Sequence, residues 1–84
     1  QMAQNWQRLG FDRVAQMVRQ GVYPQWNDYL EIDVTATDDE IKEAQADMLL
    51  KASEKRYNKQ ISNKQYDFVR MILRDAAQKR DPLS

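Results

Sequence analysis

The sequence predicts a small all-α protein of four or five helices, arranged around an antiparallel helix pair at about 38–56 and 63–79. Apolar residues recur at intervals of three and four over most of the chain, which is the spacing of one helix face. Two capping signatures each precede a long apolar stripe. No segment alternates apolar and polar residues as a half-buried strand would. Together these patterns favour a helical bundle.

The N-terminal quarter of the chain predicts helices interrupted by glycine. Apolar residues share one face over residues 2–9 and again over residues 11–18, and Gly10 and Gly21 follow these stretches as C-terminal stops. The apolar residues concerned are Met2, Trp6, Leu9, Phe11, Val14, Ala15 and Val18. An interior glycine costs a helix only about 1 kcal/mol. Gly10 therefore either separates two helices or bends a single longer one.

A third, short helix is predicted to begin at Pro24, because proline is favoured as the first helical residue. It would carry Trp26, Tyr29 and Leu30. We expect Trp6 and Trp26 to fix the N-terminal helices in the core. The alternative is that one of the two is an exposed anchor for a partner, since tryptophan is enriched at interface hot spots.

Thr37 begins the clearest predicted helix. Thr37 and Glu40 form a capping box, in which each side chain accepts a hydrogen bond from the other residue's backbone N–H. Acidic residues in the first turn suit the positive end of the helix dipole. The apolar stripe that follows consists of Ile41, Ala44, Met48, Leu49 and Ala52, with Tyr57 as a further candidate at the edge of the core.

The last predicted helix repeats this pattern. Ser62 and Gln65 form its capping box, and Ile61 can pack on Tyr66 across the helix start. The stripe consists of Tyr66, Val69, Leu73 and either Ala76 or Ala77, and Phe68, Met71 and Ile72 widen it. This face is wider than one packing contact needs. Either residues 1–26 cover it, or it is a groove for a second copy or another partner.

Composition limits the chemistry that this chain can perform. The 84 residues form one small domain, and without cysteine they hold neither a disulfide nor a thiolate metal site. The chain has no histidine, which is the usual general base and the commonest zinc ligand. We therefore expect no enzyme, no cofactor and no metal. No run reaches the roughly 18 apolar residues of a membrane span, so a cytoplasmic protein without membrane contact is expected.

The net charge is zero but unevenly distributed. Residues 28–47 hold eight acids against one lysine, a net of −7, and residues 48–84 hold nine bases against four acids, a net of +5. The simplest interpretation is a solvated surface whose acid-first, base-last order suits helix dipoles. The alternative is a bipolar protein that docks charged partners or associates with itself.

The basic residues of the last two helices, with the apolar residues beside them, are the candidate partner-binding surface. This surface consists of Lys51, Lys55, Arg56, Lys59, Phe68, Arg70, Met71 and Arg74. Phosphate binding by its cations would make the chain a nucleic-acid-binding protein. A sequence pI of about 6.4 argues against strong binding of that kind.

The middle of the chain resembles a J-domain, the DnaJ-type helical module. The residues that carry the resemblance are Tyr29-Leu-Glu-Ile-Asp-Val34, Thr37-Asp-Asp-Glu-Ile-Lys-Glu-Ala44 and Met48-Leu-Leu-Lys51. The family reads tyrosine, a short apolar turn, a Glu-Ile-Lys-Lys-Ala helix start and Leu-Ala-Leu-Lys before His-Pro-Asp. Ser53, Glu54 and Lys55 stand at the His-Pro-Asp positions, and the connection from Val34 to Ile41 is about two residues shorter than in the family.

The resemblance implies a J-like helical core at residues 28–84, with residues 1–27 as a helical extension packed on it. J-domains stimulate ATP hydrolysis by DnaK-type chaperones through the His-Pro-Asp loop and a basic second helix. Here the tripeptide is absent and the second helix begins acidic. The resemblance therefore implies a degenerate, chaperone-related module that serves as a scaffold, regulator or pairing partner.

Two functions follow as hypotheses. The first is a non-catalytic protein–protein interaction module, working as an adaptor, inhibitor or assembly partner, with a second copy of the chain among its candidate partners. The second is a small nucleic-acid-binding helical protein that uses the basic residues of the last two helices.

Overall fold

The computed structural model describes residues 2–83, and these form five α-helices. They are α1 (Met2–Leu9), α2 (Asp12–Arg19), α3 (Trp26–Tyr29), α4 (Asp38–Tyr57) and α5 (Asn63–Ala77). Within residues 2–83 there is no β-strand. The prediction of an all-α chain with four or five helices is confirmed.

Gly10 separates α1 from α2 and does not merely bend one helix. It has a φ of 101°, a conformation that glycine adopts without steric cost. Its N–H donates to the Gln7 carbonyl at 3.0 Å, and the next N–H, that of Phe11, donates to the Trp6 carbonyl at 2.9 Å. These two bonds close the end of α1 as a Schellman turn. The question that the sequence left open at Gly10 is thereby answered.

Both predicted capping boxes are confirmed. At the start of α4, the Glu40 N–H donates to Thr37 Oγ1 at 3.2 Å and the Thr37 N–H donates to Glu40 Oε1 at 2.8 Å. At the start of α5, the Gln65 N–H donates to Ser62 Oγ at 3.1 Å and the Ser62 N–H to Gln65 Oε1 at 2.7 Å. Each box satisfies two backbone donors that would otherwise lack partners.

The start of α3 differs from the prediction. The helix begins at Trp26 and not at Pro24. The Asp28 carboxylate accepts from the Gln25 N–H at 2.8 Å, and Asp81 Oδ1 accepts from the Trp26 N–H at 2.9 Å. Asp81 belongs to the segment after α5, so a residue distant in sequence caps this helix. The preference for proline at the first helical position depends only on neighbouring residues, so it cannot predict a cap from a distant segment.

All helices contribute to one hydrophobic core, and α5 lies at its centre. Helices α1, α3 and α4 each pack against α5, and α1 also packs on α2. The α5 residues Val69, Ile72 and Leu73 are at most 1% exposed. Trp6 and Trp26 are both buried, which confirms their predicted packing role. The core cluster draws on residues 1–27 as well as on residues 28–84.

Helix α4 is much less buried than α5. Only Ile41 and Ala52 are fully buried, while Ala44, Met48 and Leu49 pack on the core as partly buried residues. Tyr57 was predicted to lie at the edge of the core, and this is wrong, because its side chain is 86% exposed. It is the last residue of α4 and projects away from the core.

Candidate interaction surfaces

The structure separates the eight predicted partner-binding residues into two groups. Lys51, Lys55, Arg56 and Lys59 lie on the C-terminal part of α4 and in the following turn. Phe68, Arg70, Met71 and Arg74 lie on α5. Three of the eight line a common groove, and the other five have different surroundings.

Arg70, Met71 and Arg74 line a groove between α4 and α5 with a volume of about 420 Å³. We call it the basic groove, and its lining is Gln45, Leu49, Asp67, Arg70, Met71, Leu73 and Arg74. Met71 is 37% exposed, and Leu49 is partly buried beside it. The groove therefore offers apolar contact area between two guanidinium groups that can each bind a carboxylate in a bidentate manner. Leu50, on the next position of α4, is 61% exposed.

Arg56 and Lys55 are engaged within the molecule. The Arg56 guanidinium carbon lies 3.7 Å from the centre of the buried Tyr66 ring, a cation–π contact that joins the end of α4 to the start of α5. Lys55 is partly buried, and its Cε lies close to Gly10. Lys51 and Lys59 are exposed.

Phe68 is partly buried under α1. Its ring centroid lies 5.9 Å from that of Trp6, which also contacts Phe11 and Tyr29 edge-on. Ile72 is fully buried. Of the three residues that widen the apolar face of α5, the structure thus covers Phe68 and Ile72 and leaves Met71 exposed. The apolar part of the candidate surface is narrower than the sequence suggested.

A second groove was not predicted. It lies between α4 and the connection from α3 to α4, with a volume of about 590 Å³. We call it the acidic groove. Its carboxylates are Glu31, Asp33, Glu40, Glu43 and Asp47, and its less exposed apolar residues are Leu30, Ile32, Ala36, Ala44 and Met48. Lys51 is its only cation among the described residues.

Three carboxylates of the acidic groove accept hydrogen bonds from backbone N–H groups. Glu31 accepts from Arg13, Glu40 from Thr37, and Asp33 from Thr35. The bonds from Thr35 hold the pKa of the Asp33 carboxyl below its usual value. Among residues 2–83, the side-chain carboxylates of Glu43 and Asp47 have no hydrogen bond or ion pair.

The sequence contained part of the signal for the acidic groove, namely the net charge of −7 over residues 28–47. It did not show that the connection after α3 folds back beside α4. Within residues 2–83, no group of acidic side chains is placed to hold a metal ion. None of the five described helices has the length and apolar character needed to cross a membrane.

Comparisons of the chain with protein-family models, with curated proteins and with solved structures found no match.

Proposed function

We propose that this chain is a non-catalytic protein–protein interaction module, which docks an acidic segment of a partner protein in the basic groove. The observation that carries the proposal is the arrangement of Arg70 and Arg74 around Met71 and Leu49. A partner segment with an apolar side chain flanked by carboxylates would complement this arrangement. The role would be that of an adaptor, inhibitor or assembly partner.

The proposal includes a degenerate J-like core for α3, α4 and α5. Its support is the sequence resemblance together with the antiparallel packing of α4 on α5, in which Arg56 meets Tyr66 near the turn and Gln45 and Arg74 line one groove farther along. Ser53, Glu54 and Lys55, at the positions of the family's reactive tripeptide, lie inside α4. That placement favours an interaction role over stimulation of a chaperone's ATP hydrolysis, which uses a loop.

The test compares three versions of the full chain as bait in a lysate of the native host. The groove variant is Arg70→Glu with Arg74→Glu. The control is Arg8→Glu with Arg80→Glu, which makes the same change in net charge at exposed arginines outside the groove. We expect the wild type and the control to capture the same protein partner and the groove variant to lose it, while circular dichroism shows unchanged helicity. Capture by all three versions would contradict the assignment of the groove.

Nucleic-acid binding is the competing outcome, and a salt titration with generic duplex DNA measures it. Binding that is strong at about 50 mM salt and lost by about 200 mM would show that the cations contact phosphates. In that case both reversal variants would weaken binding, since counterion release depends on the number of cations and not on the shape of the groove.

A further inference from the structure

We propose that a second copy of this chain docks in the acidic groove and that the docking element is Tyr57 with the basic residues around it. This contact would join two different surfaces of the same chain, head to tail. It uses neither Arg70 nor Arg74, so it is independent of the proposed function.

The acidic groove has the features of a receptor for an aromatic side chain with cationic neighbours. Its apolar contact area comes from Ile32, Ala36, Ala44 and Met48, which all pack on the core and are therefore held in place. A methionine thioether makes favourable contacts with aromatic rings. The volume of about 590 Å³ is larger than a tyrosine side chain and leaves room for its neighbours.

Two carboxylates beside this apolar area lack partners within residues 2–83. Glu43 and Asp47 are four residues apart on α4 and form no ion pair there. Like charges at this spacing repel each other and destabilise a helix. A cationic ligand would relieve that repulsion, and this selects a basic partner for the groove.

Tyr57 and its neighbours have the complementary chemistry. Tyr57 is 86% exposed, the highest value among the large apolar side chains that the structure describes. Tyrosine is among the residues most enriched at interface hot spots. The exposed cations Lys59 and Lys64 lie at the same end of the helix pair, beside Arg56, whose guanidinium packs on the Tyr66 ring.

A second copy is favoured over an unrelated protein because the acidic groove and the surface around Tyr57 carry opposite charges. The chain as a whole has no net charge, because residues 1–27 carry +2, residues 28–47 carry −7 and residues 48–84 carry +5. A net charge near zero promotes association. The surfaces cannot meet within one molecule, because Ala44 and Tyr57 both belong to α4 and lie about 20 Å apart along its axis. Head-to-tail contacts of this kind build rings or open chains.

The experiment measures molar mass by light scattering of the full chain over a range of concentrations. We expect the wild type to exceed its monomer mass of 10.0 kDa progressively as concentration rises. The excess should be largest at about 50 mM salt and disappear near 500 mM, where charges are screened over about 4 Å. A wild type that remains monomeric up to about 1 mM protein at low salt would overturn the proposal.

Two variants make the test specific for a head-to-tail contact. The acidic-groove variant is Glu43→Gln with Asp47→Asn, and the tyrosine variant is Tyr57→Ser with Lys59→Asn. All four side chains are exposed, so both variants should retain the circular dichroism spectrum of the wild type. Each variant lacks one surface and should be monomeric alone. Mixed together, they retain one intact pair of surfaces and should form a 1:1 complex of twice the 10.0 kDa mass that grows no further.

The mixture separates this contact from other modes of association. Self-association of either variant alone at the wild-type level, or the absence of a 1:1 complex in the mixture, would contradict the head-to-tail arrangement. Arg70→Glu with Arg74→Glu should associate with itself as the wild type does. Failure of the proposed partner-binding function and failure of this inference are therefore distinguishable.

Discussion

Arg13 and Glu31 join the first turn of α2 to the segment that follows α3. The Glu31 carboxylate accepts from the Arg13 backbone N–H at 3.1 Å in the first turn of α2. The Arg13 guanidinium donates to the Ile32 carbonyl at 3.0 Å, just after α3. The pair thus attaches α2 to the connection that forms one wall of the acidic groove.

Replacing Arg13 should test this attachment. Arg13→Ala removes the bond to the Ile32 carbonyl and the long ion pair with Asp28 at 4.0 Å. We expect the free energy of unfolding, measured with urea, to fall by about 1 kcal/mol, the usual size of one hydrogen bond at a partly exposed site. Arg8→Ala, at an exposed arginine of α1, is the control and should change it by less than about 0.5 kcal/mol.

Replacing lysine with glycine should have opposite effects on the free energy of unfolding at Lys59, just after α4, and at Lys51, inside α4. Lys59 follows the helix with a φ of 61°, a conformation that costs a residue with a Cβ atom about 1–2 kcal/mol. Lys59→Gly should therefore raise the free energy of unfolding by about 0.5–1 kcal/mol. Lys51→Gly lies inside the helix and should lower it by about 1 kcal/mol. A loss of stability at both positions would contradict the assigned helix end.

Truncating a side chain at the centre of the core should lower the free energy of unfolding far more than truncating one at the rim of the basic groove. Ile72 is fully buried, whereas its neighbour Met71 is 37% exposed. Ile72→Ala should cost about 2–5 kcal/mol, comparable with the total stability of about 5 kcal/mol expected for a domain of this size. Met71→Ala should cost less than about 1 kcal/mol. Thermal unfolding followed by circular dichroism would show both effects.

Tyr29 should make the protein sensitive to alkaline pH. Burial raises the pKa of its phenol above the ordinary value of 10.0, and the nearby Tyr23, Asp81 and Asp28 raise it further. The unfolded chain then loses this proton at lower pH than the folded chain. The contribution of the protonated Tyr29 phenol to the free energy of unfolding is complete below pH 10. It is lost as pH rises through the folded-state pKa.

Tyr29→Phe removes this titrating group while keeping the ring that contacts Trp6 and Phe11. Urea unfolding above pH 10 should show a smaller decline in stability for the variant than for the wild type. Equal declines in the two proteins would show that other groups control the alkaline limit.

The helix positions were largely predictable because the signals that fix them are local. The two capping boxes at Thr37 and Ser62 each act over three residues of sequence, and both helices begin where those residues indicate. Gly10 and Gly21 mark the ends of the first two helices for the same reason, since a left-handed residue there needs no distant contact.

The candidate site was predictable only in part. The spacing of Arg70 and Arg74 on one helix face is a local property, and the structure places both in the basic groove. The acidic groove depends on how residues 30–36 pack beside α4, and no pattern within either segment specifies that packing.

Local sequence patterns were therefore sufficient to predict the fold class, the two long helices and the segregation of charge along the chain. Which apolar faces are covered depends on contacts between distant segments. Trp6 of α1 covers Phe68, Asp81 caps α3 from 55 residues away, and Tyr57 remains exposed at the end of α4. Helical periodicity identifies an apolar face, but only the packing of distant segments determines what lies against it.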